Sequence, residues 1–139
     1  MEGSRELLNV TSIDLRHPEL RMRTRPSLLK ALKGVGIDLQ PIFCGGNDFI
    51  LQQREQWTDG ANAFCLAPGV ITSDGRNLAT AEALDRAGYQ VLNAKAVLAD
   101  PALDLLDGRK YLVQIEASEL SRARGGPRCM TMPLSRDLD

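Results

Sequence analysis

Residues 63–92 of the chain read AFCLAPGVITSDGRNLATAEALDRAGYQVL, and this stretch decides the fold. Two short apolar runs, residues 63–67 and 70–72, flank the dipeptide Pro68-Gly69. Because proline followed by glycine favours a tight turn, the pattern predicts a hairpin of two strands.

The residues after this hairpin predict a helix and then another strand. Asn77 suits the N-cap of a helix that runs to about Ala87, and Gly88 suits the left-handed position that closes it. The alternating apolar residues of segment 89–92 predict a strand. The predicted order is therefore strand, strand, helix, strand, and the predicted fold class is α/β.

An earlier stretch repeats part of this pattern. Residues 31–40, ALKGVGIDLQ, resemble residues 83–92, ALDRAGYQVL, and Gly36 occupies the position that closes the helix. Upstream, Pro26 lies at or near a first helical position, and residues 7–15 are rich in strand-forming side chains. We interpret the two stretches as copies of one module, the first of them partial.

The remaining segments predict further elements. Residues 96–110 are rich in Ala, Leu and Asp but are interrupted by a proline and a glycine, so we expect a helical insertion there. Residues 111–115 predict a strand. Residues 129–134 predict a closing strand at a sheet edge, since a proline inside them cannot donate to a central ladder.

The bulk composition narrows the class of protein. The 139 residues are of single-domain size, and their net charge of −1 comes from 17 basic and 18 acidic side chains scattered along the chain. Nothing in this pattern indicates a nucleic-acid or membrane partner. No apolar run approaches the roughly 20 residues that span a bilayer, and the polar N-terminus lacks a signal-peptide core, so we expect a cytoplasmic protein.

The cysteines indicate free thiols. Cys44, Cys65 and Cys129 are odd in number and widely spaced, and His17 is the only histidine. This pattern favours neither a zinc site nor a disulfide framework, and we predict no metal and no cofactor. We expect at least two of the three thiols to pack as small hydrophobic side chains.

Residues 120–130, LSRARGGPRCM, carry the most informative chemistry. Two glycines and a proline make a loop whose backbone can approach a ligand closely, and three arginines precede the cysteine. Cationic neighbours favour the thiolate, which is the reactive form of cysteine, and arginines can hold a carboxylate by paired hydrogen bonds. On these residues alone, a basic surface loop beside a half-buried cysteine is the simpler interpretation, and a reactive Cys129 is the alternative.

Three stretches together resemble the arginine deiminase family. Residues 122–134, RARGGPRCMTMPL, resemble its C-terminal signature. Residues 44–48, CGGND, with residues 54–62, REQWTDGAN, resemble a second motif, and residues 67–70, APGV, followed by Arg76-Asn77 resemble a third. In the second motif we expect Trp57 to pack against the protein rather than to stack on a ligand, and Asp59 and Asn62 to fix their own loop by bonds to the backbone.

The resemblance runs from about residue 37 to the C-terminus, and more faintly from residue 7. It implies that residues 1–139 are the C-terminal portion of an arginine deiminase catalytic domain. The family's fold is a pentein-type α/β propeller of strand-strand-helix-strand modules, of which this chain would hold a part.

The resemblance also implies roles for two residues. In the family a cysteine attacks the guanidinium carbon of L-arginine, ammonia leaves, and water releases citrulline. Matched residue by residue, Cys129 is this catalytic nucleophile. Arg124 is the substrate-binding residue, since it matches an arginine on the mobile loop beside the active site that is associated with recognition of the substrate carboxylate.

The family's acid/base histidine has no match here. His17-Pro18-Glu19 lacks the family's His-x-Asp motif, so we expect His17 to be an exposed turn residue. The histidine and the guanidinium-binding carboxylates would then lie upstream of Met1, and we expect a chain that is truncated at its N-terminus and inactive alone.

Two other functions stay open. One is a non-catalytic, self-associating fragment, and the other is a different thiol-dependent enzyme that modifies guanidines. Since modules of a ring pack against two neighbours, a fragment would expose strand edges, and we expect a homo-oligomer. We expect the contact in residues 10–15 or 63–72, with residues 96–110 outside it.

Overall fold

The computed structural model describes residues 9–16 and 18–135. Contacts within the chain form two compact units, which separate between Pro41 and Ile42. Both units contain helix and strand, as the α/β prediction requires. The prediction for His17 lies outside the described residues. Among those that are described, no helix is both long and apolar enough to cross a membrane.

The first unit is an antiparallel strand pair followed by a short helix. Strand β1 (Val10–Asp14) pairs with β2 (Arg21–Arg25), and helix α1 (Leu28–Lys33) follows. The N-cap of α1 is Ser27, whose hydroxyl accepts a hydrogen bond from the backbone N–H of Lys30 at 3.2 Å. Pro26 therefore lies one position before the N-cap, outside the helix.

The strand expected at residues 37–40, from their resemblance to the predicted strand at residues 89–92, is absent. Gly36 adopts the predicted left-handed conformation, with φ 89°, but residues 37–43 form neither helix nor strand. Ile37 and Leu39 are 46% and 55% exposed. A strand needs a hydrogen-bonded partner, and β1 and β2 pair only with each other among the described residues.

The second unit holds the larger sheet. Its elements, in chain order, are α2 (Phe49–Trp57), β3 (Phe64–Ala67), β4 (Val70–Asp74), α3 (Leu78–Arg86), β5 (Tyr89–Asn93), α4 (Ala94–Ala99), β6 (Lys110–Ile115) and a 3-10 turn (Leu120–Ala123). The predicted order of strand, strand, helix, strand is β3, β4, α3, β5. Helix α2 was not expected from the sequence.

Four strands form one open sheet in the order β3-β4-β6-β5. Strands β3 and β4 are the predicted antiparallel hairpin, while β4, β6 and β5 are parallel. Strand β6 was expected, and it lies between the two strands that α3 connects. The described residues therefore contain two open sheets and no closed ring.

The core of the second unit lies between this sheet and α3. Leu112 of β6 is fully buried and packs with Ala81 and Leu84 of α3. Ile71 and Val91 flank Leu112 in register on the neighbouring strands. This aliphatic contact fixes α3, and with it the turn from which α3 starts.

Two further predictions are wrong: the helical insertion is shorter than expected, and the closing strand is absent. The insertion is helical only to Ala99, because aspartates in residues 100–109 bind the backbone N–H two residues further on, as Asp104 does to Leu106 at 2.8 Å. Such bonds favour turns over helix. The closing strand at residues 129–134 does not form, since residues 127–130 turn instead and residues 131–135 are exposed and irregular.

Candidate functional site

Cys129 lies in a turn of the second unit and is exposed. Its backbone N–H donates to the carbonyl of Gly126 at 3.0 Å, and the next N–H, from Met130, donates to the same oxygen at 3.3 Å. The sequence placed the cysteine at the start of a strand, and the simpler of its two interpretations made the side chain half-buried. The turn presents its sulfur to solvent instead.

The side chain of Asn62 contacts this turn, residues 126–130, which we call the cysteine turn, at two points. Its Oδ1 accepts a hydrogen bond from the backbone N–H of Arg128 at 3.1 Å. Its Nδ2 donates to the sulfur of Cys129 at 3.2 Å. Two motifs that are more than 60 residues apart in sequence therefore meet at the candidate nucleophile. The sequence predicted only local bonds for Asn62.

Gly126 allows the cysteine turn to lie against Asn62. A Cβ atom placed on Gly126 would lie 2.7 Å from Cγ and 2.9 Å from Oδ1 of Asn62. Real side chains do not approach so closely, so any larger residue would push the turn away. Gly126 is buried, whereas the cysteine three residues later is exposed.

The turn that carries Asn62 is tightly hydrogen-bonded. The N–H of Asn62 donates to the carbonyl of Asp59 at 2.9 Å, and the N–H of Gly60 donates to the carbonyl of Glu55 at 2.7 Å. Asp59 has a φ of 59°, the left-handed conformation that aspartate tolerates better than most residues. Asp59 thus shapes this turn through its backbone.

Hydrogen bonds to the buried side chains of Glu55 and Asn77 fasten the same turn to α3. The hydroxyl of Thr58 donates to Oδ1 of Asn77 at 2.5 Å, and Nδ2 of Asn77 donates to the carbonyl of Thr58 at 3.2 Å. The carboxylate of Glu55 accepts from the backbone N–H groups of Ala79 and Thr80 at 2.8 and 2.7 Å. These bonds attach the turn that carries Asn62 to α3, which packs on the core.

Arg124 lies over the ring of Trp57, with 4.5 Å between its guanidinium carbon and the ring centroid. Trp57 is 70% exposed, so it does not pack in the interior. Together with Gln53 and Gln56, the two side chains line an open cleft of about 350 Å³. Arg124 itself ends the 3-10 turn in a left-handed conformation, with φ 58°.

The loop arginines do not converge on the sulfur. Arg122 forms an ion pair with Glu119 at 3.3 Å, and the side-chain contact of Arg124 is with Trp57. Arg128 touches the site through its backbone N–H. Among the described residues, no hydrogen bond or ion pair joins Arg124 to Cys129. The hydrogen-bond donor that the structure places on the sulfur is the amide of Asn62.

The other two cysteines have different surroundings. All three thiols are free, but Cys65 is exposed on β3 and Cys44 is half-buried in a turn. The expectation that two thiols pack as hydrophobic side chains is therefore wrong. Burial raises the pKa of Cys44 above its ordinary value, and a hydrogen bond with Thr80 opposes this shift. In the described ranges, no three His, Cys, Asp or Glu side chains group as metal ligands would.

Known proteins resemble almost the whole chain. The model of the arginine deiminase family matches residues 12–136. The arginine deiminase of Mycoplasma capricolum subsp. capricolum is 43% identical over 102 residues, which are 73% of this chain and 20% of that protein. That of Bacillus cereus is 36% identical over 140 residues, covering 98% and 29%. That of Treponema denticola is 37% identical over 130 residues, covering 94% and 24%. The chain spans less than a third of the length of these relatives.

Proposed function

We propose, from the premise that this chain belongs to the arginine deiminase family, that it supplies the cysteine nucleophile for the hydrolysis of L-arginine to citrulline and ammonia. Cys129 is that nucleophile. The thiolate adds to the guanidinium carbon and forms a C–S bond. A C–N bond then breaks and ammonia leaves with an added proton. Water adds to the same carbon, the C–S bond breaks, and citrulline and the thiolate are released.

The observation that carries this proposal is the contact between Asn62 and Cys129. Cys129 is exposed in a turn, and its sulfur accepts a hydrogen bond from a fixed amide, so the side chain is both accessible and held in one position. A structural cysteine has no need of either property. The contact also joins the two sequence motifs that most resemble the family.

Arg124 is the substrate-binding residue of the proposal. A guanidinium group binds the carboxylate of an amino acid by paired hydrogen bonds. In the structure this group lies on Trp57 at the rim of an open cleft, held by a contact worth roughly 0.5–1 kcal/mol at an exposed site. That energy is small enough for a substrate carboxylate to compete for Arg124.

The remaining catalytic groups would come from sequence beyond residues 1–139. The reaction needs an acid/base group to protonate the leaving ammonia and carboxylates to hold the guanidinium. We propose that those groups belong to further modules of a pentein-type propeller, of which the β3, β4, α3, β5 module is one. We propose that this hydrolysis takes place in the cytoplasm, where thiols such as Cys129 stay reduced.

A chimera tests the proposed function. Residues 1–139 would replace the matching segment of the Bacillus cereus arginine deiminase, and citrulline would be measured after incubation with L-arginine. We expect activity that disappears in the Cys129→Ala variant and survives in the matched Cys65→Ala variant. A folded chimera without activity, or activity that survives Cys129→Ala, would overturn the proposal. Circular dichroism establishes folding in each case.

A second candidate function, non-catalytic self-association, is favoured by exposed apolar side chains. Leu66 on the outer strand β3 is 54% exposed, and Phe49 and Ile50 on α2 are 69% and 72% exposed. Such surfaces recruit other protein chains. This candidate and the first one are compatible, because the same surfaces would be covered in a completed ring.

A further inference from the structure

We infer that Asn62 is a positioning residue for Cys129: its amide fixes the cysteine turn and directs an N–H donor at the sulfur. The inference deepens the proposed function, on which it rests where it makes the sulfur a nucleophile. The amide–sulfur coupling itself can be tested without turnover.

The orientation of the Asn62 amide is fixed by its partners. The backbone N–H of Arg128 can only donate, so the amide atom that faces it, at 3.1 Å, must be the oxygen. The NH₂ group is then forced to face the sulfur of Cys129, at 3.2 Å. Rotation of the amide by 180° would set two donors against each other. One hydrogen bond to the backbone therefore dictates the polarity of the other.

This donor is ready before any ligand binds. Asn62 lies on the turn that Glu55 and Asn77 anchor to α3, so its backbone cannot move freely. Gly126 lets the cysteine turn approach the amide to contact distance. Preorganised donors stabilise developing charge without the cost of reorientation. The same arrangement holds the sulfur in one position relative to the rest of the second unit.

The donor discriminates between the two forms of the thiol. A thiolate is a strong acceptor, whereas a thiol sulfur accepts weakly, so an N–H group aimed at the sulfur binds the nucleophilic form more tightly. The side chains of Arg122 and Arg124 contact Glu119 and Trp57 instead of this sulfur. Asn62 is the hydrogen-bond donor to this sulfur among the described residues.

The Asn62→Asp variant separates the two tasks of the side chain. Aspartate has the same shape and retains an oxygen for the N–H of Arg128, but it turns an acceptor with negative charge toward the sulfur. Asn93→Asp is the matched control, since Asn93 is exposed on β5, caps α4 by accepting from Lys95 at 2.8 Å, and aspartate caps equally well. Both variants add one negative charge to the same unit.

The measurement is the rate at which iodoacetamide alkylates Cys129 in the folded 139-residue chain, mapped by mass spectrometry between about pH 6 and 10. We expect Asn62→Asp to slow alkylation roughly tenfold at neutral pH. The rates of parent and variant should converge at high pH, where a cysteine is largely thiolate in either protein. Asn93→Asp should match the parent chain. If Asn62 only held the turn, the Asn62→Asp variant would have the same pH profile of alkylation as the parent chain.

Either of two results would overturn the inference: identical profiles for Asn62→Asp and Asn93→Asp, or faster alkylation of Asn62→Asp at every pH, which would mean a loosened turn. The proposed function fails separately. If the chimera lacks activity while Asn62→Asp still shifts the profile, the amide–sulfur coupling stands and the assigned reaction falls. If the chimera is active and Asn62→Asp changes nothing, the assigned reaction stands and the amide–sulfur coupling falls.

Discussion

The carboxylate of Glu55 accepts two hydrogen bonds from Thr80, one from the backbone N–H at 2.7 Å and one from the hydroxyl at 2.6 Å. Glu55 lies on α2 and is only 6% exposed, whereas Thr80 lies in the first turn of α3. The first N–H groups of a helix lack partners within it and attract negative charge. Asn77 occupies the predicted N-cap position of α3, but its side chain makes no capping bond, and Glu55 on the neighbouring helix accepts the hydrogen bonds instead.

Replacing Glu55 by glutamine should destabilise the second unit. One glutamine oxygen cannot satisfy the donors that two carboxylate oxygens accept, and its NH₂ group would face N–H donors. We expect a loss of about 1–3 kcal/mol in the free energy of unfolding, measured by urea denaturation.

Glu82→Gln is the matched control for this change. Glu82 lies on α3, its side chain is 71% exposed, and its ion pair with Arg86 is long, at 3.8 Å. Such a pair contributes about 0–1 kcal/mol. If the two variants unfold at the same urea concentration, the cap from Glu55 does not stabilise the fold.

The local elements could be predicted from the sequence, whereas α2 could not. The β3–β4 hairpin and α3 follow from Pro68-Gly69 and from an apolar face that packs on Leu112. Helix α2 reverses the usual pattern, because its buried residue is Glu55 while Phe49 and Trp57 are exposed. The sequence feature that does indicate α2 is its N-cap Asp48, whose carboxylate accepts a hydrogen bond from the N–H of Ile50 at 2.8 Å.

The candidate site could be predicted only in part. Resemblance to the family singled out Cys129 and Arg124 by residue type and order. The role of Asn62 depends on a contact across 67 residues, which no local pattern encodes. The side-chain partners of the loop arginines could not be predicted, because sequence proximity does not fix where a long side chain points. The contact of Arg124 with Trp57 decides that instead.

The 139-residue chain alone should not convert L-arginine to citrulline. Nucleophile, acid/base group and guanidinium-binding carboxylates act as a unit, so one of them without the others gives little catalysis. A colorimetric citrulline assay with a no-protein blank is the measurement. Turnover clearly above the blank that Cys129→Ala abolishes would contradict this prediction, and its further loss in His17→Ala would give that histidine a catalytic role.

Cys129 should be alkylated faster than Cys44 by limiting iodoacetamide. The sulfur of Cys129 is exposed and accepts from Asn62, whereas burial raises the pKa of Cys44 and lowers its thiolate fraction. Cys65 is exposed but donates to the carbonyl of Ala67 at 3.1 Å, a bond made by the thiol, so we place it below Cys129 as well. Equal labelling of all three in the folded protein, with unfolded protein as reference, would refute this order.

Asp107 should stabilise the fold above its titration range and lose this effect in acid. Hydrogen bonds from Arg109 lower the pKa of Asp107 from 3.8 to about 2. A carboxylate with a lowered pKa in the folded state stabilises that state above the unfolded value of 3.8, and the contribution disappears as pH falls through about 2.

The Asp107→Asn variant measures this contribution. The difference in urea midpoint between parent and variant should be constant above pH 3.8 and should shrink steadily toward about pH 2. Asp85→Asn, on an exposed position of α3, serves as the control. A difference for Asp107→Asn that is the same at both ends of this range would refute the titration argument.

The isolated chain should self-associate, most simply as a two-fold dimer. Strand β3 lies at the edge of the larger sheet, so one side of its backbone has no strand partner among the described residues. Leu66, on that strand, is 54% exposed, and an unprotected apolar edge pairs readily with another chain. We expect the contact within residues 63–72 or, in the first unit, residues 10–15, with residues 96–110 left outside.

Light scattering at micromolar concentration measures the mass of the species, and Leu66→Lys tests the β3 edge. A charged side chain at a strand edge opposes pairing, so this variant should shift the equilibrium toward monomer. Leu98→Lys is the matched control, because Leu98 is 85% exposed but lies on α4, within residues 96–110. If the parent chain is well folded and strictly monomeric, its surfaces are stable in water without a partner. If Leu98→Lys dissociates the dimer and Leu66→Lys does not, the contact lies on the insertion and not on β3.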